Sequence, residues 1–315
     1  MMQYDRITLG KQARELGFVR DTFEKVCRLV DVLAFFEEDG FLSESLALKG
    51  GTAINLTIFN LPRLSVDIDL DYSCDVNREK MLEDRGRITE HIQKYMAANG
   101  YSQSPKSKNY HALDSFVYDY INAGGMKDNL KIEINYMLRC HVLPVAHRKI
   151  SFCGYPKDVR VLCVNPLEIL SAKNVALMNR AAPRDLYDLF NAVNLGLLEE
   201  DRDLYRKCVA FYAAIASPTV PDGFSLESID GITAQKVKSA LIPVLKRAEH
   251  FDFLEAQRRV KEYLGEILVP MEAETKFWNA FKEHEYRPDL LFEDADIVKR
   301  IKEHPMAKWK CSNNN

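Results

Sequence analysis

The sequence has little glycine and little proline, 14 and 12 of its 315 residues. Collagen-like, low-complexity and largely disordered chains are rich in one or both residues, so these classes are excluded. Positive charge is not in excess either, because 43 Lys and Arg stand against 46 Asp and Glu, for a formal net charge of -3. A strongly basic coat for nucleic acid is therefore excluded, although a local basic patch is not.

Segments that direct a chain to a membrane are also missing. The first residues show no apolar core of signal-peptide length and no small-residue cleavage site, and no run of about 18 apolar residues follows. The 7 cysteines form no CxxC pair and have no His at zinc-ligand spacing. We therefore expect a cytoplasmic protein without membrane association or structural zinc, whose cysteines are reduced: Cys27, Cys74, Cys140, Cys153, Cys163, Cys208 and Cys311.

The first half of the chain mixes two hydrophobic periods. Spacings of three and four residues predict helices over 18–36 and 77–99, and Thr52 is expected to cap a helix over 53–59. Alternation and short apolar runs predict strands over 46–48, 65–72, 116–121, 130–137 and 159–164.

The second half has an almost entirely helical period. Pro166 is expected in a first helical turn. Helices are predicted over 167–178, 185–194, 201–215, 233–248, 253–267 and 272–283. We therefore predict an α+β chain with an α/β domain over 1–160, in which helices flank a mixed sheet, and an α-helical domain over 161–315 that closes a cleft.

Carboxylates on a strand carry the first functional signal. Asp67, Asp69 and Asp71 alternate with apolar residues, so their side chains point to the same face. Asp is a poor strand former and like charges on one face repel, which favours a cation site over a structural role. Glu133, on the polar face of another strand, is the candidate third carboxylate, whereas Asp71 is expected to be exposed. Carboxylates that hold two metal ions are a recurrent device in phosphoryl transfer.

A glycine turn just upstream carries the second signal. Glycines at Gly50 and Gly51 let backbone N–H groups approach a phosphate closely. The helix that follows, beginning near Thr52, adds its positive end at the same place. Either feature alone is compatible with an ordinary turn or a solvated stripe, and only the combination indicates a nucleotide site.

Three stretches carry a resemblance to a known family: LKGGTAINL at 48–56, PRLSVDIDLDYS at 62–73 and AKNVALMNRAAPRDLYDLF at 172–190. They resemble the AbiEii/AbiGii-type nucleotidyltransferase toxins, which include the MenT toxins and belong to the polymerase-β-like nucleotidyltransferase superfamily. Lys49 departs from the superfamily pattern, because it occupies a position that is usually apolar. The spacer between Gly51 and Asp67 is also somewhat longer than the common form.

The resemblance implies roles for individual residues. Asp67 and Asp69 would bind metal, with Glu133 as a third ligand. The triphosphate would be cradled by Gly50, Gly51 and Thr52, and the nucleotide site would be lined by Arg63, Ser65 and Arg184. In the third motif, Lys173 would contact phosphate and Asp185 would organise the site, with Asp188 completing the motif.

The resulting hypothesis is a metal-dependent nucleotidyltransferase that uses Mg²⁺, as two ions, or Mn²⁺. It would transfer an NMP from an NTP to a hydroxyl and release pyrophosphate. The resemblance implies the toxin of a type IV-like toxin–antitoxin or phage abortive-infection pair, with a tRNA 3′ end as a target and a separate antitoxin protein. Two alternatives stay open: a small-molecule or protein hydroxyl as the acceptor, and a nucleotide-binding regulatory module without turnover.

Two basic stretches are candidate contacts for an RNA acceptor. One is a polar loop with Lys106, Lys108 and His111, near Tyr101 and Tyr110. The other accumulates lysine and arginine near the end of the chain: Lys299, Arg300, Lys302, Lys308 and Lys310. Ordinary solvated surface is the preferred interpretation of both.

Overall fold

The structure is a computed structural model that describes residues 4–152 and 158–312. Its chain divides into two compact units. Unit 1 contains Met1–Arg139, Val145–Val164 and Val244–Glu249, and unit 2 contains Cys140–Pro144, Asn165–Pro243 and His250–Asn315.

Unit 1 is built on a mixed sheet, as the alternating segments predict. Its described strands are β1 (Leu46–Lys49), β2 (Asp67–Tyr72), β3 (Ser102–Gln103), β4 (Lys108–Asn109), β5 (Leu113–Ile121), β6 (Lys127–Asn135), β7 (Ala146–Lys149) and β8 (Arg160–Cys163). The strand order is β3-β5-β6-β2-β1-β8-β7, and β4 pairs with β5. Because β2 pairs antiparallel with β1 and parallel with β6, it lies at the centre of the sheet.

Helices cover the sheet of unit 1: α1 (Arg6–Glu15), α2 (Arg20–Glu38), α3 (Gly40–Ser45), α4 (Gly50–Thr57) and α5 (Arg78–Ala98). The apolar stripe of α2 is buried and contacts β6 and β8, and α4 contacts β1 and β2. In β2, Ile68 and Leu70 are buried while Asp67 and Asp69 keep partial exposure, so the predicted alternation is confirmed there.

Unit 2 is helical, as predicted. Its α-helices are α6 (Pro166–Arg180), α7 (Pro183–Asn194), α8 (Arg202–Ala216), α9 (Ala234–Ala240), α10 (Phe253–Ile267), α11 (Glu272–Lys282), α12 (Ala295–Ile301) and α13 (Pro305–Ser312). The largely buried α8 contacts α6, α10, α11 and α13. Buried Glu168 accepts hydrogen bonds from the N–H groups of Val142 and Leu143, which fastens the segment 140–144 to α6.

Two predicted helices differ from the structure by more than two residues at one end. The helix expected over 53–59 begins at Gly50 and ends at Thr57, with Lys49 at its N-cap position. The helix expected over 233–248 ends at Ala240, and a short 3-10 helix follows over Ile242–Val244. Pro243 explains the second difference, because proline lacks the N–H that an α-helix requires at that point.

Two expectations from composition can be compared with the described residues. Cys27, Cys74, Cys140, Cys163, Cys208 and Cys311 are all free thiols, as expected, and only Cys74 and Cys311 are partly exposed. Cys153 lies outside the described residues. Among the described helices, none combines the length and the apolar character needed to cross a membrane.

Candidate active site

Three carboxylates lie on neighbouring positions of one sheet face in unit 1. Asp67 and Asp69 are two residues apart on β2, and their side chains share a face. In the parallel pairing of β2 with β6, Asp69 is the partner of Glu133 and Asp67 is the partner of Lys131. The register therefore places Glu133 beside Asp69, on two strands that are distant in sequence.

Lys131 lies among these carboxylates. Its Nζ is 3.0 Å from Glu133 Oε2. Burial alone would lower the pKa of Lys131, but the hydrogen bond to Glu133 and the charges of Glu133, Asp67 and Asp69 together raise it. All three carboxylates thus act on the ammonium group of Lys131. Lys131 was missed in the sequence, although its position two residues before Glu133 on an alternating strand would have placed it on the same face.

Gly50 fits directly against Asp69. Its φ is +67°, a left-handed conformation that favours glycine. A Cβ atom at this position would lie 2.7 Å from Asp69 Oδ2. The turn between β1 and α4 therefore brings the first turn of the helix against the carboxylate, and it can do so only with glycine.

Gly51 fits against two other predicted residues. A Cβ atom on Gly51 would lie 2.7 Å from Arg63 Nη2 and 3.0 Å from Ser65 Oγ. The Arg63 side chain is buried, its Nη1 donates to Leu64 O at 3.0 Å, and its backbone forms an antiparallel bridge with Leu245. The buried guanidinium therefore adds a positive charge beside the first N–H groups of α4, next to the carboxylate of Asp69.

Thr52 does not cap α4, because it lies in the first turn of the helix and not before it. Its buried hydroxyl donates a hydrogen bond to the carbonyl oxygen of Asp67. The side chain therefore ties α4 to β2. A contact between Thr52 and a phosphate would have to come from its backbone N–H.

The expectation that Asp71 is exposed is wrong. Asp71 is 3% exposed, and its Oδ1 lies 2.5 Å from Lys49 Nζ. The ion pair gives a reason for the lysine at a position that is usually apolar, because Lys49 neutralises a carboxylate that the sheet buries. It also ties the residue before Gly50 to β2.

The third motif forms a compact ionic cluster within unit 2. Lys173 Nζ lies 3.1 Å from Asp185 Oδ1 and 2.7 Å from Asp188 Oδ2, and all three side chains are buried. Arg180, which the sequence reasoning did not single out, donates to Asp185 Oδ2 at 2.7 Å. Arg184 donates to Ala240 O at 2.7 Å.

The donor chemistry of the β2 carboxylates fits a hard divalent cation, because Mg²⁺ and Mn²⁺ prefer carboxylate oxygens. Within the described ranges, however, no three His, Cys, Asp or Glu side chains are gathered as a ready metal site. Asp67 and Asp69 are therefore the pair that fits a metal. Glu133, paired with Lys131, stays a prediction as the third ligand.

Most of the chain matches a known protein family. The family model described as "Nucleotidyl transferase AbiEii toxin, Type IV TA system" matches residues 34–282, which contain every predicted site residue. No match is found among the curated proteins.

Among solved structures, the fold is similar to that of MenT4, a nucleotidyltransferase toxin from Mycobacterium tuberculosis H37Rv. The TM-score is 0.63 at 14% sequence identity, and the similarity covers 97% of this chain and 99% of that chain. At this identity the likeness concerns the fold, a mixed α+β arrangement, and agrees with the predicted fold class.

Proposed function

Because the chain belongs to the AbiEii family of nucleotidyltransferase toxins, we propose that it transfers an NMP from an NTP to a hydroxyl group of an RNA, with Mg²⁺ bound at Asp67 and Asp69. The observation that carries the proposal is the contact between Asp69 and Gly50. It joins a paired-carboxylate face to the positive end of a helix, and nucleotidyl transfer requires both a cation site and a phosphate site.

The reaction forms one bond and breaks one. The acceptor hydroxyl oxygen attacks the α-phosphorus of the NTP, and the bond from that phosphorus to the bridging oxygen of the β-phosphate breaks. Pyrophosphate leaves with the bonding electron pair, and the hydroxyl proton passes to solvent or to a nearby base. Negative charge grows on the leaving group, so fixed positive groups near it stabilise the transition state.

The residues of unit 1 would supply these fixed groups. The N–H groups of Gly51 and Thr52, at the start of α4, are oriented donors for phosphate oxygens. Arg63, against Gly51, adds a permanent positive charge, and Ser65 adds a hydroxyl. Bound at Asp67 and Asp69, with Glu133 as a proposed further ligand, one or two Mg²⁺ ions would supply charge neutralisation and activation of the acceptor hydroxyl.

The residues of the third motif would act on the nucleotide through Lys173 and Arg184. Lys173 is proposed to contact phosphate, and Arg184 to line the nucleotide site. Asp185 and Asp188 both pair with Lys173 and fix its ammonium group in one position. Asp185 is thus a positioning residue for Lys173 in this proposal.

The test is a transfer assay with α-phosphate-labelled NTPs, Mg²⁺ and bulk tRNA. We expect label on RNA, and its loss in Asp67→Asn and Asp69→Asn, each of which keeps the side-chain shape but removes a charged ligand. Asp158→Asn is the matched control, because Asp158 is exposed and pairs only with the exposed Lys149 among the described residues. Transfer that persists in Asp69→Asn would overturn the proposal.

The molecule that carries the label after the reaction identifies the acceptor. Label on RNA supports the proposal, and digestion of the labelled RNA shows whether the 3′ end of tRNA carries it. Label on a protein or a small molecule supports the alternative acceptors. NTP binding without any transfer would indicate a regulatory module.

Metal dependence has a readout that does not require turnover. Mg²⁺ with an NTP should raise the melting temperature of the wild-type protein, because a ligand that binds only the folded state stabilises it. The shift should be absent in the Asp67→Asn, Asp69→Asn double variant, and EDTA should stop transfer. Equal shifts in the two proteins would contradict metal binding at this pair.

Family membership also implies an antitoxin partner, which we propose to be a separate protein. Expression of the wild-type chain should slow bacterial growth, and Asp69→Ala should relieve that effect. Growth inhibition that is unchanged by Asp69→Ala would separate toxicity from the proposed chemistry.

A further inference from the structure

A cavity lined by several arginines lies in unit 1. Its volume is about 440 Å³. Four arginines line it, Arg6, Arg14, Arg20 and Arg247, together with the buried Ala13 and Phe18. None of these positions belongs to the motifs described above. We refer to this cavity as the arginine pocket.

The charge of the arginine pocket is poorly balanced by neighbouring acids. Arg20 Nε donates to Asp21 Oδ1 at 2.7 Å. In the described part of the chain, the side chains of Arg6, Arg14 and Arg247 form no ion pair, and all three residues are exposed. Because arginine keeps its charge at every physiological pH, the pocket carries a surplus of about three positive charges.

The spacing of the arginines indicates a ligand with several anionic groups. Arg6 and Arg14 are eight residues apart on α1, which separates their Cα atoms by about 12 Å at 1.5 Å per residue. Anchors at this separation, with Arg20 and Arg247 in the same lining, can hold more than one phosphate at once. Guanidinium groups spread over such a length suit consecutive phosphates of a polynucleotide backbone, each of which can accept a bidentate contact.

The arginine pocket is connected to the candidate phosphate site by a short piece of backbone. Leu245 forms a bridge with Arg63, which lies against Gly51. Two residues further, the N–H of Arg247 donates to Gly17 O at 2.7 Å. Two residues of extended chain span at most about 7 Å, so one strand of nucleic acid could reach both places.

We infer that the arginine pocket binds backbone phosphates of the RNA acceptor while its terminal hydroxyl is at the nucleotide site. The inference rests on the proposed function for the identity of the acceptor. The contacts are to phosphates and not to bases, so the pocket contributes affinity and position without sequence preference.

The test measures binding of a labelled, short single-stranded RNA by fluorescence anisotropy, without NTP or metal. The variant is the double substitution Arg14→Gln, Arg247→Gln. Both residues are exposed, and the hydrogen bond of Arg247 to Gly17 uses the backbone N–H, so the fold should be kept. We expect affinity to fall about 10-fold, and the slope of log affinity against log salt to decrease by about 1.4 for two lost phosphate contacts.

The matched control removes two charges elsewhere in unit 1. Arg78→Gln, Lys94→Gln affects two exposed side chains of α5 and should leave affinity within about twofold. An unchanged affinity in the arginine variant would overturn the inference, and so would an equal loss in the α5 control.

A competition arm separates a polynucleotide from a free phosphate. Unlabelled RNA should displace the probe at concentrations far below those needed with inorganic phosphate, because only RNA engages several arginines at once. Equal competition by inorganic phosphate would overturn the assignment to a backbone.

The proposed function and the arginine pocket are tested by different measurements: nucleotide transfer tests the first, and RNA binding tests the second. Since binding is measured without NTP, loss of RNA affinity in the arginine variant supports the pocket even if no nucleotide is transferred. Conversely, transfer that depends on Asp69 but not on Arg14 and Arg247 would support the enzyme and overturn the pocket.

Discussion

Gly50 and Asp69 are packed so closely that no side chain fits between them. A Cβ atom on residue 50 would lie 2.7 Å from Asp69 Oδ2 and 3.3 Å from Asp69 Cβ. The glycine of the turn and the carboxylate of the strand are therefore one structural feature. A change at either position must alter the distance between the start of α4 and the acidic face of β2.

Gly50→Ala should impair both stability and activity. The φ of +67° costs an alanine about 1–2 kcal/mol, and the contact with Asp69 must also relax. We expect the free energy of unfolding to fall by about 2 kcal/mol. Displacement of a carboxylate by about 1 Å should reduce transfer about 100-fold. Urea denaturation and the labelled-NTP assay measure the two effects.

Gly86→Ala is the control for this prediction. Gly86 lies inside α5, and a Cβ atom there would meet nothing within 4 Å. The substitution should stabilise the protein by up to about 1 kcal/mol and leave transfer unchanged, because alanine is the better helix former. If Gly50→Ala behaved like Gly86→Ala, the close contact with Asp69 would be refuted.

The Lys49–Asp71 pair should show strong coupling. Lys49→Met removes the ammonium 2.5 Å from a carboxylate that is 3% exposed, so Asp71 loses an ion pair that compensates for its burial. We expect a loss of about 2 kcal/mol, reduced from the value for a fully buried pair because Lys49 is partly exposed. The double variant Lys49→Met, Asp71→Leu should recover most of that loss in urea denaturation. Additive losses would show that the pair is not coupled.

The sequence was a good guide where one period repeats over a long segment. The helices at 20–38 and 78–98 lie within two residues of their predicted bounds, because many apolar positions agree on one period. The strands β5 and β6 were also predicted, but each begins three residues earlier than expected. Short elements such as α3, β3 and β7 were missed, since two to six residues hold too little periodicity to be distinguished from a loop.

The sequence indicated which residues form the candidate site, but not how they are buried and paired across the strands. Alternation puts Asp67 and Asp71 on the same face, but it does not show that Asp71 is buried and paired with Lys49 of the neighbouring strand. The position of Lys131 beside Asp67 follows from the register of β6 against β2. Register between strands about 60 residues apart is set by the packing of the whole sheet and not by local pattern.

Lys173→Met should destabilise the protein much more than the neighbouring Arg180→Met. Lys173 lies between two buried carboxylates, so its loss leaves Asp188 without the ammonium at 2.7 Å. We expect a loss of about 3 kcal/mol in urea denaturation. Arg180 is 65% exposed, and its pair with Asp185 should contribute less than about 1 kcal/mol. Equal stabilities of the two variants would contradict a structural role for the lysine.

Asp39 should make stability sensitive to acid. Its carboxylate accepts hydrogen bonds from the N–H groups of Phe41 and Leu42 at the start of α3, and its Oδ2 lies 2.6 Å from His91 Nδ1. Burial works to raise the pKa of Asp39, but the N–H of Leu42, His91 and the N–H of Phe41 together lower it. A lowered pKa in the folded state means that the contribution of Asp39 to stability is fully present above the pKa of the unfolded state, about 4. That contribution is lost as the pH falls through the pKa of the folded state.

Melting temperatures of the wild-type protein and of Asp39→Asn should therefore differ by a constant amount between about pH 6 and pH 4 and converge below that range. Asp158→Asn, at an exposed pair, should show no such convergence. A constant difference down to about pH 2 would show that Asp39 does not contribute to the acid sensitivity of the fold.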